Sequence, residues 1–357
     1  MVSVDHGLGS VYNESQLILS HLPGGIPINS FKALVVDKID DRVKTDIRFL
    51  ALDELPPGEL LVNVVYSSIN YKDALACIPN GNIVKTYPFI PGIDMAGIVV
   101  ESRNEHFKEG DEILVTGYDF GVSHYGGLSQ YARIPAEWAV KLPQGLSLKE
   151  AMIFGTAGFT AAMSVQELQQ NGILPDSGPV LVTGASGGVG SVAVAILSKL
   201  GYEVAASTGK EDRREELLKL GASRVMSREE VIPEQARPLN KQIWSGAVDC
   251  VGGKTLASIL SSVQYGGAVA ASGLTGGIEL PTTVFPFILR GIRLIGIDSV
   301  SAGMARREQV WKLLAGEYKP VMLEDMYTEI ALEQVPEVVP SMLDGQSRGR
   351  VIVNLKG

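Results

Sequence analysis

Cysteine is scarce in this chain: 357 residues contain two, Cys77 and Cys250, far apart and outside any Cys-x-x-Cys pattern. That argues against a disulfide framework and points to a reducing, cytoplasmic setting. Histidine is equally thin, with His6, His21, His106 and His124 scattered along the chain, so the sequence offers no metal-binding motif and zinc is not expected. No apolar run is long enough to span a bilayer. Basic residues are in deficit, 31 against 40 acidic, and the net charge of −9 disfavours a nucleic-acid or anionic-membrane surface. Residues 1–30 lack Lys and Arg altogether, so neither a signal peptide nor a mitochondrial presequence fits. Strand-like periodicity begins only at 31–37. The first thirty residues therefore read as an appendage, either a vector-derived or start-site extension or a loosely docked arm.

What is present is a folded globular composition, 45% hydrophobic and 20% charged, on a chain long enough for two domains. The most informative stretch is 180–201. Gly178 and Pro179 precede a short apolar run at 180–182, a glycine turn follows, and Val192, Ala193, Ile196, Leu197 and Leu200 then recur at helical spacing. The turn, Ala185-Ser186-Gly187-Gly188-Val189-Gly190, matches the dinucleotide fingerprint with alanine in place of the first glycine. Gly187 lets backbone approach a pyrophosphate, Gly190 lets the helix pack closely on the strand, and free N–H groups at the helix start attract the anion. A second strand ends at Ser207, about 20 residues on, where the ribose-reading position falls.

Around this unit the chain alternates in character. From Phe31 to about Pro143 the segments are short and β-rich, with strands expected at 32–36, 59–68, 97–102, 112–116 and 128–134 and a long irregular loop at 117–127. Ser147 and Glu150 form a capping-box pattern that starts a helix. Strands and helices then alternate: strands at 204–207, 224–226, 247–251, 267–272 and 294–297, helices at 211–220 and around 306–314, and a last strand at 349–355. The expected organisation is α/β. A partly closed β domain (31–150 and 321–357) carries an inserted doubly wound parallel-sheet domain (151–320), and a cofactor lies in the cleft between them.

Asn70-Tyr-Lys-Asp73, Pro91-Gly-Ile-Asp-Met-Ala-Gly97, Gly155-Thr-Ala-Gly158, the fingerprint turn, Val248-Asp-Cys-Val-Gly-Gly253 and Gly349-Arg-Val-Ile-Val353 together resemble the medium-chain dehydrogenase/reductase superfamily across 31–355. Pro286-Phe-Ile-Leu-Arg-Gly291 and Gly296-Ile-Asp-Ser299 look like its zinc-free quinone oxidoreductase branch, which contains the acryloyl-CoA reductases. The resemblance implies a GroES-like catalytic domain, a Rossmann domain and a homodimer, the last consistent with an apolar edge strand at 294–297 that could pair with its twin. Where the zinc alcohol dehydrogenases place metal ligands, this chain has Asn70 and Ile93. Alcohol oxidation is then a poor expectation, and hydride transfer to an enoyl thioester, an enone or a quinone is the natural alternative.

Such a reaction needs alignment of nicotinamide and alkene and hydrogen-bond donors for a developing oxyanion. Tyr71 is the candidate proton donor or substrate hydrogen bond, or else a cleft-wall aromatic. Asn70 and Asp73 orient the nicotinamide ribose or fix the loop. Asp94 does either, or is a buried structural acid paired with Lys72. Ser207, Thr208 and Lys210 stand where an NAD-specific site would carry a carboxylate, which favours NADPH, with Arg213 and Arg214 assisting or merely solvated. Thr156 and the Ser272-Gly273-Leu274 turn resemble segments that touch nicotinamide, and Arg350 resembles the family's C-terminal phosphate-binding residue. Arg290 faces the domain interface or an anionic substrate tail. Three functions follow: an NADPH-dependent enoyl reductase, with acryloyl-CoA first, an NADPH:quinone oxidoreductase, or a non-catalytic NADPH-binding sensor or structural protein.

Overall fold

A computed structural model describes residues 30–40, 42–232, 237–346 and 348–356; residues 1–29 of the expected appendage lie outside them, and its last residue, Ser30, belongs to the first strand. The chain opens with an antiparallel hairpin of β1 (Ser30–Ile39) and β2 (Arg42–Ala51). Next come β3 (Leu60–Ile69), α1 (Tyr71–Ala76), β4 (Asp94–Ser102), β5 (Glu112–Thr116), β6 (Tyr131–Ile134) and β7 (Val140–Lys141). The long helix α2 (Leu148–Gln170) leads into β8 (Val180–Thr183), α3 (Gly188–Lys199), β9 (Val204–Ser207), α4 (Arg214–Lys219), β10 (Arg224–Met226) and α5 (Arg228–Val231). Then follow β11 (Trp244–Asp249), α6 (Gly253–Ser262), β12 (Val263–Ala271), α7 (Phe285–Arg290), β13 (Arg293–Gly296) and α8 (Met304–Ala315). The chain closes with β14 (Tyr327–Ala331), α9 (Val335–Leu343) and β15 (Arg350–Asn354).

Two larger sheets organise these elements. One runs β14-β15-β3-β4-β5-β7, with β6 also paired to β3. It is antiparallel except where β14 meets β15. The other is all parallel, in the order β10-β9-β8-β11-β12-β13. Counted from β8 as strand 1 this is 3-2-1-4-5-6, the Rossmann order, and it reverses between β8 and β11. Alternate residues explain why the parallel sheet is apolar on both faces. Val180, Val182, Val204, Ala206 and Val248 enter one core, while Leu181, Ala205, Ala247 and Val269 enter a second core with Leu256, Ile259 and Leu260 of α6.

The first of those cores does not stop at the parallel sheet. Through α2 it continues to Tyr66, Ala96, Leu114 and Ile352 of the antiparallel sheet, so one helix packs both sheets. The helix begins as expected: Glu150 N donates to Ser147 Oγ at 3.2 Å, and the Glu150 carboxylate accepts from Ser147 N at 2.9 Å. It kinks at Gly155, whose φ of +52° and ψ of −157° are not helical.

Several boundaries differ from the sequence reading. The segment 42–51, for which no strand was expected, is the second arm of the hairpin. The expected strand at 128–134 is ordered as strand only from Tyr131, and the expected helix at 211–220 is a 3₁₀ turn followed by the short α4.

Candidate active site

The glycine turn lies where the parallel strand order reverses, past the C-terminal end of β8. Ala185 N donates to Ser207 O at 3.0 Å and Gly187 N to Gly184 O at 2.9 Å, which folds the turn tightly against β9. A Cβ on Gly190 would come within 2.4 Å of Gly184 O, so only glycine lets α3 start this close to its strand. The first N–H groups of α3 have no partner inside the helix and point out of its mouth. The turn thus fits a dinucleotide diphosphate.

Next to it, Asp249 closes the turn after β11. Its buried carboxylate accepts from Thr183 Oγ1 at 2.5 Å and Gly252 N at 2.8 Å, and burial pushes its pKa up. The Ser272-Gly273-Leu274 turn stacks on this one: a Cβ on Gly273 would sit 2.0 Å from Cys250 O. Leu274 is exposed.

At the end of β9 the polar groups are differently disposed from expectation. Ser207 is buried and its hydroxyl donates to Ser227 O at 3.3 Å, so it is not offered to a ligand. Thr208 Oγ1 pairs with Ser186 Oγ at 2.8 Å and accepts from Lys210 N at 3.1 Å. Lys210 has its pKa lowered, first by burial and then by the nearby charges of Arg213, Arg228 and Arg348, with Asp212 opposing. Arg213 is buried and tied to Glu216 at 2.5 Å, and the exposed Arg214 donates to Val225 O. Arg228 and Arg348 also bring their charges close to Lys210. Arg228 lies so close to Gly209 that a Cβ there would come within 2.5 Å of its Nε, and Arg348 reaches Asp212 at 3.9 Å. Neither carries a sequence signal, because both are ordinary surface arginines until the chain is folded.

The second half of the site is built around Asp94 at the start of β4. It is fully buried, and its carboxylate accepts from Ser68 Oγ (2.6 Å), Asn70 Nδ2 (2.7 Å), Thr156 N (2.9 Å) and Thr156 Oγ1 (2.5 Å). Its cation is Arg350 at 3.7 Å, not Lys72, which corrects the pairing expected from sequence. Arg350 is buried as well. It donates to Ile153 O (2.9 Å), Asn70 Oδ1 (3.2 Å) and Ser68 Oγ (2.8 Å). A Cβ on Gly155 would lie 2.4 Å from Asp94 Oδ2 and 2.6 Å from both Arg350 Nη2 and Ser68 Oγ. The glycine kink in α2 is what admits this ion pair. Ser68 was not singled out from sequence, since in a run of strand residues its hydroxyl gives no hint of the β15 register that brings Arg350 beside it.

Asn70 and Asp73 fix the start of α1. Asp73 Oδ2 accepts from Asn70 N at 2.7 Å and its Oδ1 from Ile93 N at 2.9 Å. Burial, reinforced by the Asp94 charge, pushes the Asp73 pKa up to about 7. With its amide shared among Asp94, Asp73 and Arg350, Asn70 holds the loop in place. Tyr71 is 52% exposed, and its hydroxyl makes no hydrogen bond among the described residues. Arg290 faces neither a substrate nor the other sheet: it donates to Ser261 O, Val263 O and Asn240 O. No group of three or more His, Cys, Asp or Glu side chains among the described residues is arranged to hold a metal ion, and Ile93 presents hydrocarbon.

With an antiparallel sheet, a Rossmann sheet and this site between a glycine turn and a buried carboxylate, the chain belongs to the medium-chain dehydrogenase/reductase family. Residues 56–144 match the alcohol dehydrogenase GroES-like domain and 188–316 the zinc-binding dehydrogenase domain. Within the family it is 53% identical over 326 residues to YhfP of Bacillus subtilis, which carries a quinone oxidoreductase name, covering 91% of this chain and 99% of that one. It is 48% identical over 327 residues to acrylyl-CoA reductase AcuI of Ruegeria pomeroyi, with the same coverage. Among solved structures, the yhdH oxidoreductase of Salmonella enterica in complex with NADP matches with a TM-score of 0.89 at 47% identity, over 91% of this chain and 100% of that one. The Bacillus subtilis yhfP structure, with NAD bound, matches with a TM-score of 0.90 at 53% identity, over 91% of this chain and 99% of that one.

Proposed function

We propose that the protein is an NADPH-dependent reductase of an activated C=C bond, with acryloyl-CoA as substrate and propanoyl-CoA as product. The observation that carries this is the junction of the two half-sites: the glycine turn abuts Arg350, Arg350 bonds Asn70, and Asn70 starts the helix whose first residue is Tyr71, its phenol without a hydrogen-bond partner among the described residues. Bound NADPH would supply hydride to the β-carbon. The electron pair of the double bond then moves onto the thioester oxygen, and the chain must stabilise that enolate and deliver a proton to the α-carbon. We assign these tasks to the Tyr71 hydroxyl, a neutral donor, and water restores its proton afterwards.

The relatives divide between NADP and NAD, so the cofactor choice rests on this chain's own residues. Thr208, Lys210, Arg228 and Arg348 gather positive charge and donors at the end of β9, where an adenosine 2′-phosphate would lie. The quinone reading is favoured by the name of the Bacillus relative and uses the same hydride. A further part of the proposal is assembly. Val284, Phe285, Ile288 and Leu289 are exposed on and beside α7, which packs on β12 next to β13, the edge of the parallel sheet among the described residues, and a second copy of the chain covers this face as a homodimer.

The deciding experiment follows NADPH oxidation with acryloyl-CoA and with simple quinones. Saturable turnover of acryloyl-CoA, at least tenfold faster with NADPH than with NADH at limiting cofactor, is expected. Faster turnover of quinones than of any enoyl thioester would replace this reading with the quinone one.

A further inference from the structure

Arg350 stands between the two halves of the site, and its five N–H groups can be assigned. Nε donates to Ile153 O at 2.9 Å. Nη2 donates to Ser68 Oγ at 2.8 Å and lies 3.7 Å from Asp94 Oδ2. Nη1 donates to Asn70 Oδ1 at 3.2 Å, which leaves it one hydrogen. The same nitrogen faces the cofactor turn, since a Cβ on Gly188, the first residue of α3, would lie 3.2 Å from it. A buried cation therefore presents one nitrogen to two places: the mouth of α3, where a diphosphate fits, and the side chain that precedes Tyr71.

We propose that Asn70 is a positioning residue for the cofactor, acting through Arg350. Asn70 Oδ1 holds Nη1 over the N-terminus of α3, and a diphosphate bound there holds Asn70 and the first turn of α1 in return. Asn70 is suited to this because its amide is fixed at both ends. Nδ2 donates to Asp94 Oδ2 at 2.7 Å, so Oδ1 is the end presented to Arg350. Its backbone carbonyl accepts from Asp73 N at 3.0 Å and Ala74 N at 3.2 Å, so any restraint on Asn70 reaches the opening turn of α1. The coupling is reciprocal, as any linkage between two sites must be. This inference rests on the dinucleotide reading above.

Two ligands separate the contributions. NADP⁺ carries the diphosphate, whereas 2′-AMP carries the 2′-phosphate and has no phosphate on its 5′-oxygen. Calorimetric titration of both into wild type, Asn70→Ala, Arg350→Lys and the double variant forms a double-mutant cycle. Asn70→Ala should weaken NADP⁺ about fivefold, as expected for loosening one charge-assisted contact, and leave 2′-AMP unchanged. In the Arg350→Lys background the Asn70 substitution should have no further effect. Additive losses in the two backgrounds would overturn the proposal, as would an equal loss for 2′-AMP, which signals damage to the fold. A second readout needs no variant: NADP⁺ should slow hydrogen exchange at Asp73 and Ala74 N–H in the wild-type protein, and 2′-AMP should not. Identical exchange with both ligands would also overturn the coupling. Additivity across the cycle, with wild-type protein binding both ligands, sinks only this inference, whereas failure of wild type to bind either ligand sinks the cofactor reading beneath it.

Discussion

Tyr71 leaves half of its surface in water at the first position of a helix whose N-cap is tied down by Asp94, Asp73 and Arg350. Tyr71→Phe keeps the ring and deletes one hydroxyl that has no hydrogen-bond partner among the described residues, so stability and cofactor affinity should persist. Steady-state kinetics on acryloyl-CoA should show kcat down by about 10²–10⁴, the range of general-acid help. Near-wild-type turnover would reduce Tyr71 to part of the cleft wall. Asp73 makes a prediction of a different kind. Its folded pKa, about 7, lies above the ordinary carboxylate value of 3.8, so the folded state binds more protons than the unfolded state between those limits. Its contribution to stability is therefore fully present below about pH 4 and is lost as pH rises through 7. Melting temperatures between pH 5 and 8 should fall less steeply in Asp73→Asn than in wild type, and an unchanged slope would show that Asp73 does not titrate there. Asp249 is shifted in the same direction, so the substitution removes only part of the slope. Of the residues that make this site, Asn70, Asp73, Asp94, Thr156 and Arg350 were legible from their motifs. Ser68, Arg228 and Arg348 were not, because what distinguishes them is a neighbour distant in sequence. Asp94 was legible as a buried acid but not its partner, which comes from β15, 256 positions later along the chain.

At the scale of elements, legibility follows burial. The central parallel strands could be read because they are buried on both faces, as in β8 and β9; the expected ranges for β9 and β10 coincide with the observed ones. The arm β2 was missed for the opposite reason. It places Arg42, Lys44, Asp46 and Arg48 along one face, a pattern depleted in strand formers. In the fold Arg48 pairs across the hairpin with Asp37 at 3.0 Å, and Lys44 pairs along β2 with Asp46 at 2.8 Å. Charge spacing alone does not reveal that β1 lies opposite. The helix expected at 211–220 was read from composition, but Arg213 turns inward to Glu216 and its opening residues form a 3₁₀ turn. The kink in α2 could not be read either. Gly155 was visible as one glycine of a small-residue run, and only the ion pair folded beneath it explains its φ.

For the whole molecule, the open question of assembly has a concrete answer to look for. An edge strand flanked by exposed Val284, Phe285, Ile288 and Leu289 is a face that water does not favour, and two-fold pairing of β13 with its twin would extend the parallel sheet across both copies. Light scattering after size exclusion should give twice the chain mass for wild type and a shift toward one chain mass for Ile288→Glu, which buries a charge in that interface. A wild-type monomer at micromolar concentration would remove the dimer from the proposal. Within one chain, the antiparallel and parallel sheets are joined by more than α2. Arg307 of α8 is buried and donates to Thr116 O at the end of β5 (2.6 Å) and to Ser299 O, Val300 O and Ala302 O, with the ring of Tyr118 4.2 Å from its guanidinium carbon. Gly117 is held open for it, because a Cβ there would come within 2.8 Å of Nη2. The two sheets are consequently not interchangeable parts. A chimera that grafts the antiparallel half of one relative onto the nucleotide half of another inherits half of this knot, and unless Thr116, Gly117 and Tyr118 travel with Arg307 the cation keeps its own carbonyls but loses the Thr116 hydroxyl, the room over Gly117 and the Tyr118 ring at the seam.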